Sequence, residues 1–257
     1  MGPTSSKSPL AEVCRQLKLP TVARDAERLA SQSSRQGLGP MAFLMELLEG
    51  ELEERRERRC VRRLKEAHFP MVKTLEGFDF SRAPHLPEGL IRQLADGHYI
   101  AKAEPVLLLG EPGTGKTHLA SALGAAAAAQ GKSVRFVTAA SLVTELVEAR
   151  DSQELGRVVG RYSRVEVLII DELAYVPLAR SDAELLFRVL GQRHELLPLI
   201  ATTNLPFSEW TTMFPDVRLC RAIVDRLTHR AHIIETGTRS LRLEDTLRRQ
   251  KQGGSSI

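Results

Sequence analysis

Apolar positions fall into two textures along this chain. Up to about residue 70 they recur at helical spacing among charged residues; beyond residue 105 they gather into short unbroken runs. Thr21 reads as the cap of a helix that continues through Arg35 and is stopped by Gly37, Gly39 and Pro40. From Met41 to about Ala67 the only breaker is Gly50. Met41, Leu44, Leu48 and Leu52 form a stripe there that Val61 and Leu64 resume. A proline-bearing stretch, Phe69-Pro70 through Pro84 and Pro87, then separates this arm from the rest of the chain. Next come Pro105–Leu109, Val134–Val137, Val165–Ile170, Leu197–Thr203 and a weaker Ala231–Glu235. Runs without polar alternation suit parallel strands buried on both faces. With helical segments between them, such as the alanine-rich stretch from Gly115 to Gln130, they predict a three-layer α/β sandwich with right-handed crossovers.

Composition changes this picture only in places. At 257 residues, 42% hydrophobic and 26% charged, the chain can hold one substantial core and a smaller appendage. Cys14, Cys60 and Cys220 stand apart with no CxxC or Cys/His cluster, so neither a zinc site nor a disulfide framework is expected. No apolar run approaches the roughly 20 residues of a membrane span. The polar start lacks the apolar segment of a signal peptide, so the expected location is the cytoplasm, without a membrane partner.

The chemistry sits where the apolar runs end. Gly110, Glu111, Pro112, Gly113, Thr114, Gly115, Lys116 and Thr117 match the P-loop pattern GxxxxGK[ST], between a strand and a helix. Such a loop turns backbone N–H groups toward phosphate oxygens, at the positive end of the following helix. Lys116 is expected on the β- and γ-phosphates of ATP, and the Thr117 hydroxyl on Mg²⁺. His118 follows as a first-turn packing or hydrogen-bonding residue beside the nucleotide. Val167–Asp171 with Glu172 fits a Walker B segment, Asp171 holding Mg²⁺ and Glu172 taking a proton from the attacking water. Asn204 ends the fourth run, placed to orient that water or meet the γ-phosphate. Of Arg221, Arg226 and Arg230 in the helical stretch 216–230, Arg226 is the choice for a finger completing a neighbouring subunit's site.

A second charged feature lies in the arm. Arg55, Arg56, Arg58, Arg59, Arg62, Arg63 and Lys65 face one acid within residues 55–65. Glu51, Glu53, Glu54 and Glu57 offer i,i+4 partners, the pattern of a solvated face. The excess of positive charge instead favours duplex DNA. The expected organisation is therefore a helical DNA-binding domain over 1–70, an ATPase core over 71–245 and a basic, flexible tail over 246–257.

Several stretches carry a family resemblance: Leu17-Lys-Leu-Pro20, Phe78-Asp-Phe80, Leu107 through Ala120, Leu168-Ile-Ile-Asp-Glu-Leu-Ala-Tyr175, Thr203-Asn-Leu-Pro-Phe-Ser-Glu-Trp210 and Asp225-Arg-Leu-Thr-His229. Over nearly its whole length the chain resembles the IstB-type transposition helper ATPases, relatives of the DnaC helicase loaders and DnaA initiators. The resemblance implies a P-loop AAA+ fold in which Asn204 is sensor 1. It also implies an ATPase that oligomerises on DNA and stimulates the transposase of the same element. Little sequence comes after the fifth run, so the C-terminal helical lid of AAA+ proteins is expected to be minimal or absent, with Arg239 and Arg242 as candidates for sensor 2. The alternative is a DnaC-like loader of a replicative helicase. A metabolic P-loop kinase fits Glu172, Asn204 and a trans arginine less well, and a GTPase lacks its Asn-Lys-x-Asp segment.

Overall fold

The computed structural model describes residues 8–173, 178–214, 216–244 and 246. The chain divides into two compact units, Met1–Val61 and Arg62–Ile257. The tail expected over 246–257 lies outside the described residues except for Thr246, as do Ala174 and Tyr175 at the end of the acidic motif.

The first unit is helical. α1 spans Pro9–Gln16, α2 Pro20–Gln36 and α3 Pro40–Glu66, the last continuing past the unit's boundary. The start of α2 differs from the sequence expectation. Pro20 occupies its first turn, Thr21 lies inside the helix, and no side chain at the cap position bonds the free N–H groups. The Glu51 carboxylate of α3 accepts the Thr21 and Val22 N–H groups instead, at 2.8 and 3.3 Å. Burial raises the Glu51 carboxyl, but Arg55 and the two N–H donors outweigh it and hold the group below its ordinary value. The small core gathers Cys14, Val22, Ala26, Leu29 and Leu47. The stripe Met41, Leu44, Leu48 and Leu52 faces solvent, because the positions that pack on α2 are Leu47 and Glu51, on the adjoining face of α3.

In the second unit α4 (Glu88–Ala95) and α5 (His98–Ala101) precede the sheet. The elements then run β1 (Val106–Leu109), α6 (Lys116–Ala129), β2 (Val134–Thr138), α7 (Ala139–Asp151), α8 (Leu155–Arg164) and β3 (Val167–Asp171). α9 (Arg180–Arg193), β4 (Leu199–Thr203), α10 (Val217–Thr228) and β5 (His232–Glu235) complete the order. Among the described residues the strands form one parallel sheet ordered β2-β3-β4-β1-β5.

Alternate strand residues serve two cores, which is why the runs show no polar alternation. Leu107, Leu168, Ile170, Leu199 and Ala201 pack with α7–α10. Val106, Leu108, Val167, Ile169 and Ile200 pack with α4–α6. Ile169 is fully buried between neighbouring strands, and a side chain of that size contributes roughly 1.5–3 kcal/mol on burial. The central strands β1, β3 and β4 end together, and at that edge Leu109, Asp171 and Thr203 lead into the loops that carry the polar residues.

Candidate nucleotide site

The loop between β1 and α6 is built on backbone conformations that side chains resist. Gly115 has φ +99°, and a Cβ there would lie 2.7 Å from the Phe78 ring. At Gly110 a Cβ would stand 2.7 Å from the Gly237 carbonyl oxygen. The described chain beyond β5 runs along this loop. Glu111 N–H donates to the Gly237 carbonyl at 3.0 Å, Leu241 N–H donates to the Gly113 carbonyl at 3.0 Å, and the buried Thr114 and Thr236 hydroxyls meet at 2.6 Å. The segment after the last strand therefore braces the loop.

Lys116 opens α6, and its Nζ donates to the Gly110 and Glu111 carbonyls at 2.6 and 2.7 Å. Burial lowers the Lys116 ammonium below its ordinary value, against the pull of Asp171, Glu111 and Glu172. The next side chain, Thr117, donates its hydroxyl to the Asp171 carboxylate at 3.0 and 3.1 Å. Asp171 is buried at the end of β3 and also accepts the Thr202 hydroxyl at 2.6 Å. Glu172 leaves the strand at φ +59° with its side chain exposed. Asn204 follows β4, the strand between β3 and β1, and its buried Oδ1 has no hydrogen-bond partner among the described residues. A buried acceptor without a donor is costly unless something else supplies one.

A cleft of about 400 Å³ opens beside Lys116 and Thr117. Met71, Phe78, Arg82 and His118 line it on one side, Leu241 and Arg242 on another. His118 Nε2 lies 3.0 Å from the Thr74 carbonyl, so that nitrogen carries the proton, and its ring stands edge-on to Phe78. Of the two candidate arginines beyond β5, Arg242 reaches this cleft; Arg239 pairs with Glu244. Sequence reasoning missed Thr202, Phe78 and Met71 as site residues, since a strand threonine and two apolar side chains give no signal until the sheet and the segment 69–80 are folded.

Arg226 is not part of this cluster. On α10 it stacks over the Phe187 ring at 3.9 Å, with its guanidinium against Gly191. The arm's cations are also more occupied than their number suggests. Arg55 pairs with Glu51 at 2.9 Å and bonds the Lys18 carbonyl, and Arg58 pairs with Glu54 at 2.7 Å while also donating to Thr21. Arg56 pairs with Glu53, and Arg62 and Arg63 both with Glu66. Arg59 and Lys65 make no ion pair among the described residues. None of the described helices is long and apolar enough to cross a membrane.

The family described as IstB-like ATP binding protein matches residues 12–249. The chain is 38% identical over 229 residues to the ATP-binding protein named for insertion sequence IS21 of Pseudomonas aeruginosa, covering 89% of this chain and 86% of that one. It is 36% identical over 247 residues to the one named for insertion sequence IS5376 of Geobacillus stearothermophilus, covering 96% and 98%. Among solved structures, AMPPCP-bound DnaA from Aquifex aeolicus superposes with a TM-score of 0.58 at 18% identity, over 74% of this chain and 58% of that one. A DnaC helicase loader gives 0.52 at 20% identity, over 67% and 98%. These two likenesses concern the fold.

Proposed function

The chain belongs to the IstB-like ATP-binding family of insertion sequences, with an AAA+ fold, and from that premise we propose that it hydrolyses ATP with Mg²⁺ while assembled on duplex DNA. In this reading it assists the transposase of its own element. The observation that carries the hydrolysis reading is the meeting of Thr117 and Asp171 beside Lys116. Both offer hard oxygen donors suited to Mg²⁺, and the Thr117 proton is directed at Asp171, which leaves the hydroxyl lone pairs free. Thr117 and Asp171 would hold the Mg²⁺, which would supply positive charge to offset that of the transferring phosphate.

The residues of the chain divide the remaining work. Loop N–H groups and Lys116 bind the phosphates, and Lys116 exchanges its two carbonyl partners for phosphate oxygens. Glu172, exposed at the end of β3, accepts the proton of the attacking water. Asn204 holds that water or, through its amide N–H, a γ-phosphate oxygen; its unpartnered buried Oδ1 is an acceptor and supports the first of these. Arg242 meets phosphate from the segment beyond β5, while Met71 and Phe78 offer apolar surface to the base. Arg226, away from its own P-loop, serves the site of an adjacent subunit.

Duplex DNA is assigned to the exposed cations of the arm. Arg55, through the Lys18 carbonyl just ahead of α2, and Arg58, through Thr21, hold α3 to that end of α2, so Arg56 and Arg59 are the informative positions. Arg56→Ala with Arg59→Ala should weaken binding to all duplex sequences alike. Each lost phosphate contact should flatten the slope of log K against log salt by about 0.9. Duplex affinity measured across a salt series checks this; an unchanged slope rejects the DNA assignment. ATP binding should be unaffected by the same pair of changes.

A further inference from the structure

The pairing of β3 with β4 does not stop where the regular ladder ends. Ile170 stands opposite Ala201, which brings Asp171 opposite Thr202 one residue further on. There the backbone of Glu172 turns into the left-handed region, at φ +59°, where a side chain is strained. Two contacts from one residue hold the turn. The Thr202 hydroxyl accepts the Glu172 N–H at 2.9 Å, and the Thr202 carbonyl accepts the Leu173 N–H at 2.8 Å. Because that hydroxyl oxygen already accepts an N–H, its single proton goes to Asp171 Oδ1, at 2.6 Å. Thr202 is 1% exposed, so no water substitutes for either bond.

We propose that Thr202 is a positioning residue for the acidic pair: one buried hydroxyl orients the Asp171 carboxylate toward Thr117 and fixes the turn that presents Glu172. This rests on the reading that Asp171 and Glu172 serve Mg²⁺-dependent ATP hydrolysis. The hydroxyl ties two acidic residues with different tasks, one by its carboxylate and one by its backbone N–H, to one rigid strand. With Thr117 on its other side, Asp171 receives two hydroxyl protons, and its Oδ1 has no freedom to rotate away from the P-loop. Glu172, one residue on, takes its direction from the turn, and among the described residues its side chain makes no hydrogen bond or ion pair.

Thr202→Val keeps the shape and removes only the hydroxyl, while the Thr202 carbonyl bond to Leu173 remains to hold the chain. Thr202→Ser keeps the hydroxyl and removes a methyl. In the full-length protein we expect Thr202→Val to lower ATP turnover about tenfold or more, the effect of loosening a base and a metal ligand together. Binding of AMPPCP without Mg²⁺ should stay within about threefold of the parent, and the Mg²⁺ concentration for half-maximal enhancement of that binding should rise. Thr202→Ser should restore turnover and Mg²⁺ dependence to within about threefold. Parental turnover and parental Mg²⁺ dependence in the valine variant overturn the proposal. So does an equal loss in valine and serine variants, which would assign the effect to packing. If the valine variant loses its thermal unfolding transition, Thr202→Ala takes its place in the same comparison. A parent protein that binds AMPPCP but turns over no ATP overturns the hydrolysis reading by itself, and Thr202 is then judged on the Mg²⁺ dependence of AMPPCP binding.

Discussion

Two cations withdrawn from water serve opposite ends of the same sheet, and their difference separates structure from chemistry. Arg193, at the end of α9, is 2% exposed and donates to the carbonyls of Tyr162, Val165, Glu166 and Pro198 at 2.6–3.3 Å. Those carbonyls precede β3 and β4, so one planar guanidinium ties the strands' entry points together. Burial lowers its pKa to about 10, and it remains charged at neutral pH. Lys116, at the exit end, also donates to carbonyls and is also lowered by burial. Its ammonium sits on a flexible stem beside an open cleft with Asp171 and Glu172 in range. A rigid fork with both terminal nitrogens engaged clamps the fold; a point charge on rotatable bonds can change partners.

The comparison breaks most sharply at Lys116. Lys116→Ala should lower ATP affinity by about 10²–10⁴-fold, equivalent to two charge-assisted hydrogen bonds of about 1.5–3 kcal/mol each. Titration with a fluorescent ATP analogue checks this, and the thermal midpoint should barely move. Glu172→Gln sharpens it within the cleft, with ATP still bound and turnover reduced about 10²–10⁴-fold. Affinity that falls in step with turnover would reject that separation. At the other end, Arg193→Leu should cost about 3 kcal/mol or more, because buried carbonyls lose their donors. Denaturant unfolding measures it, and nucleotide affinity of the folded protein should remain near parental.

The smallest effect belongs to the helical unit, where Glu51 plays a part like that of Arg193. Glu51→Gln should destabilise the unit by about 1–3 kcal/mol through the N–H groups of α2 and the bond to Arg55. Since the folded carboxyl lies below its ordinary 4.5, the folded unit binds fewer protons than the unfolded chain in mildly acidic solution. Its stabilisation is complete above that value and is lost as pH falls through the lower folded one. Helix content followed through an acid titration should therefore fall earlier in the pH descent relative to neutral stability for the parent than for Glu51→Gln, whose stability lacks this dependence.

Local order along the chain made the sheet and loop legible. The central strands β1, β3 and β4 were visible as apolar runs because both faces are buried, whereas β5, with Ile233 exposed, read more weakly; the loop was visible because its glycines and Lys116-Thr117 follow one another at fixed spacing. Helix faces were less so. The stripe Met41, Leu44, Leu48 and Leu52 has the right spacing for a core yet lies in solvent, since periodicity marks a face without saying what covers it. In the arginine run the sequence offered Glu51, Glu53 and Glu54 as partners but not Glu66, and folded together these four acids pair with five of the run's members from one helical turn away.

By itself, the sequence determined the family, the three-layer parallel fold and the P-loop with its acidic strand end, because each depends on residues adjacent in the chain or at a fixed period. Only the tertiary structure decided that Thr202 bridges Asp171 and Glu172, that Arg242 rather than Arg239 reaches the cleft, and that Glu51 caps α2. Those pairings join residues about 30 to well over 100 positions apart. Hydrogen bonds act over about 3 Å, so packing alone selects which distant donor meets which acceptor.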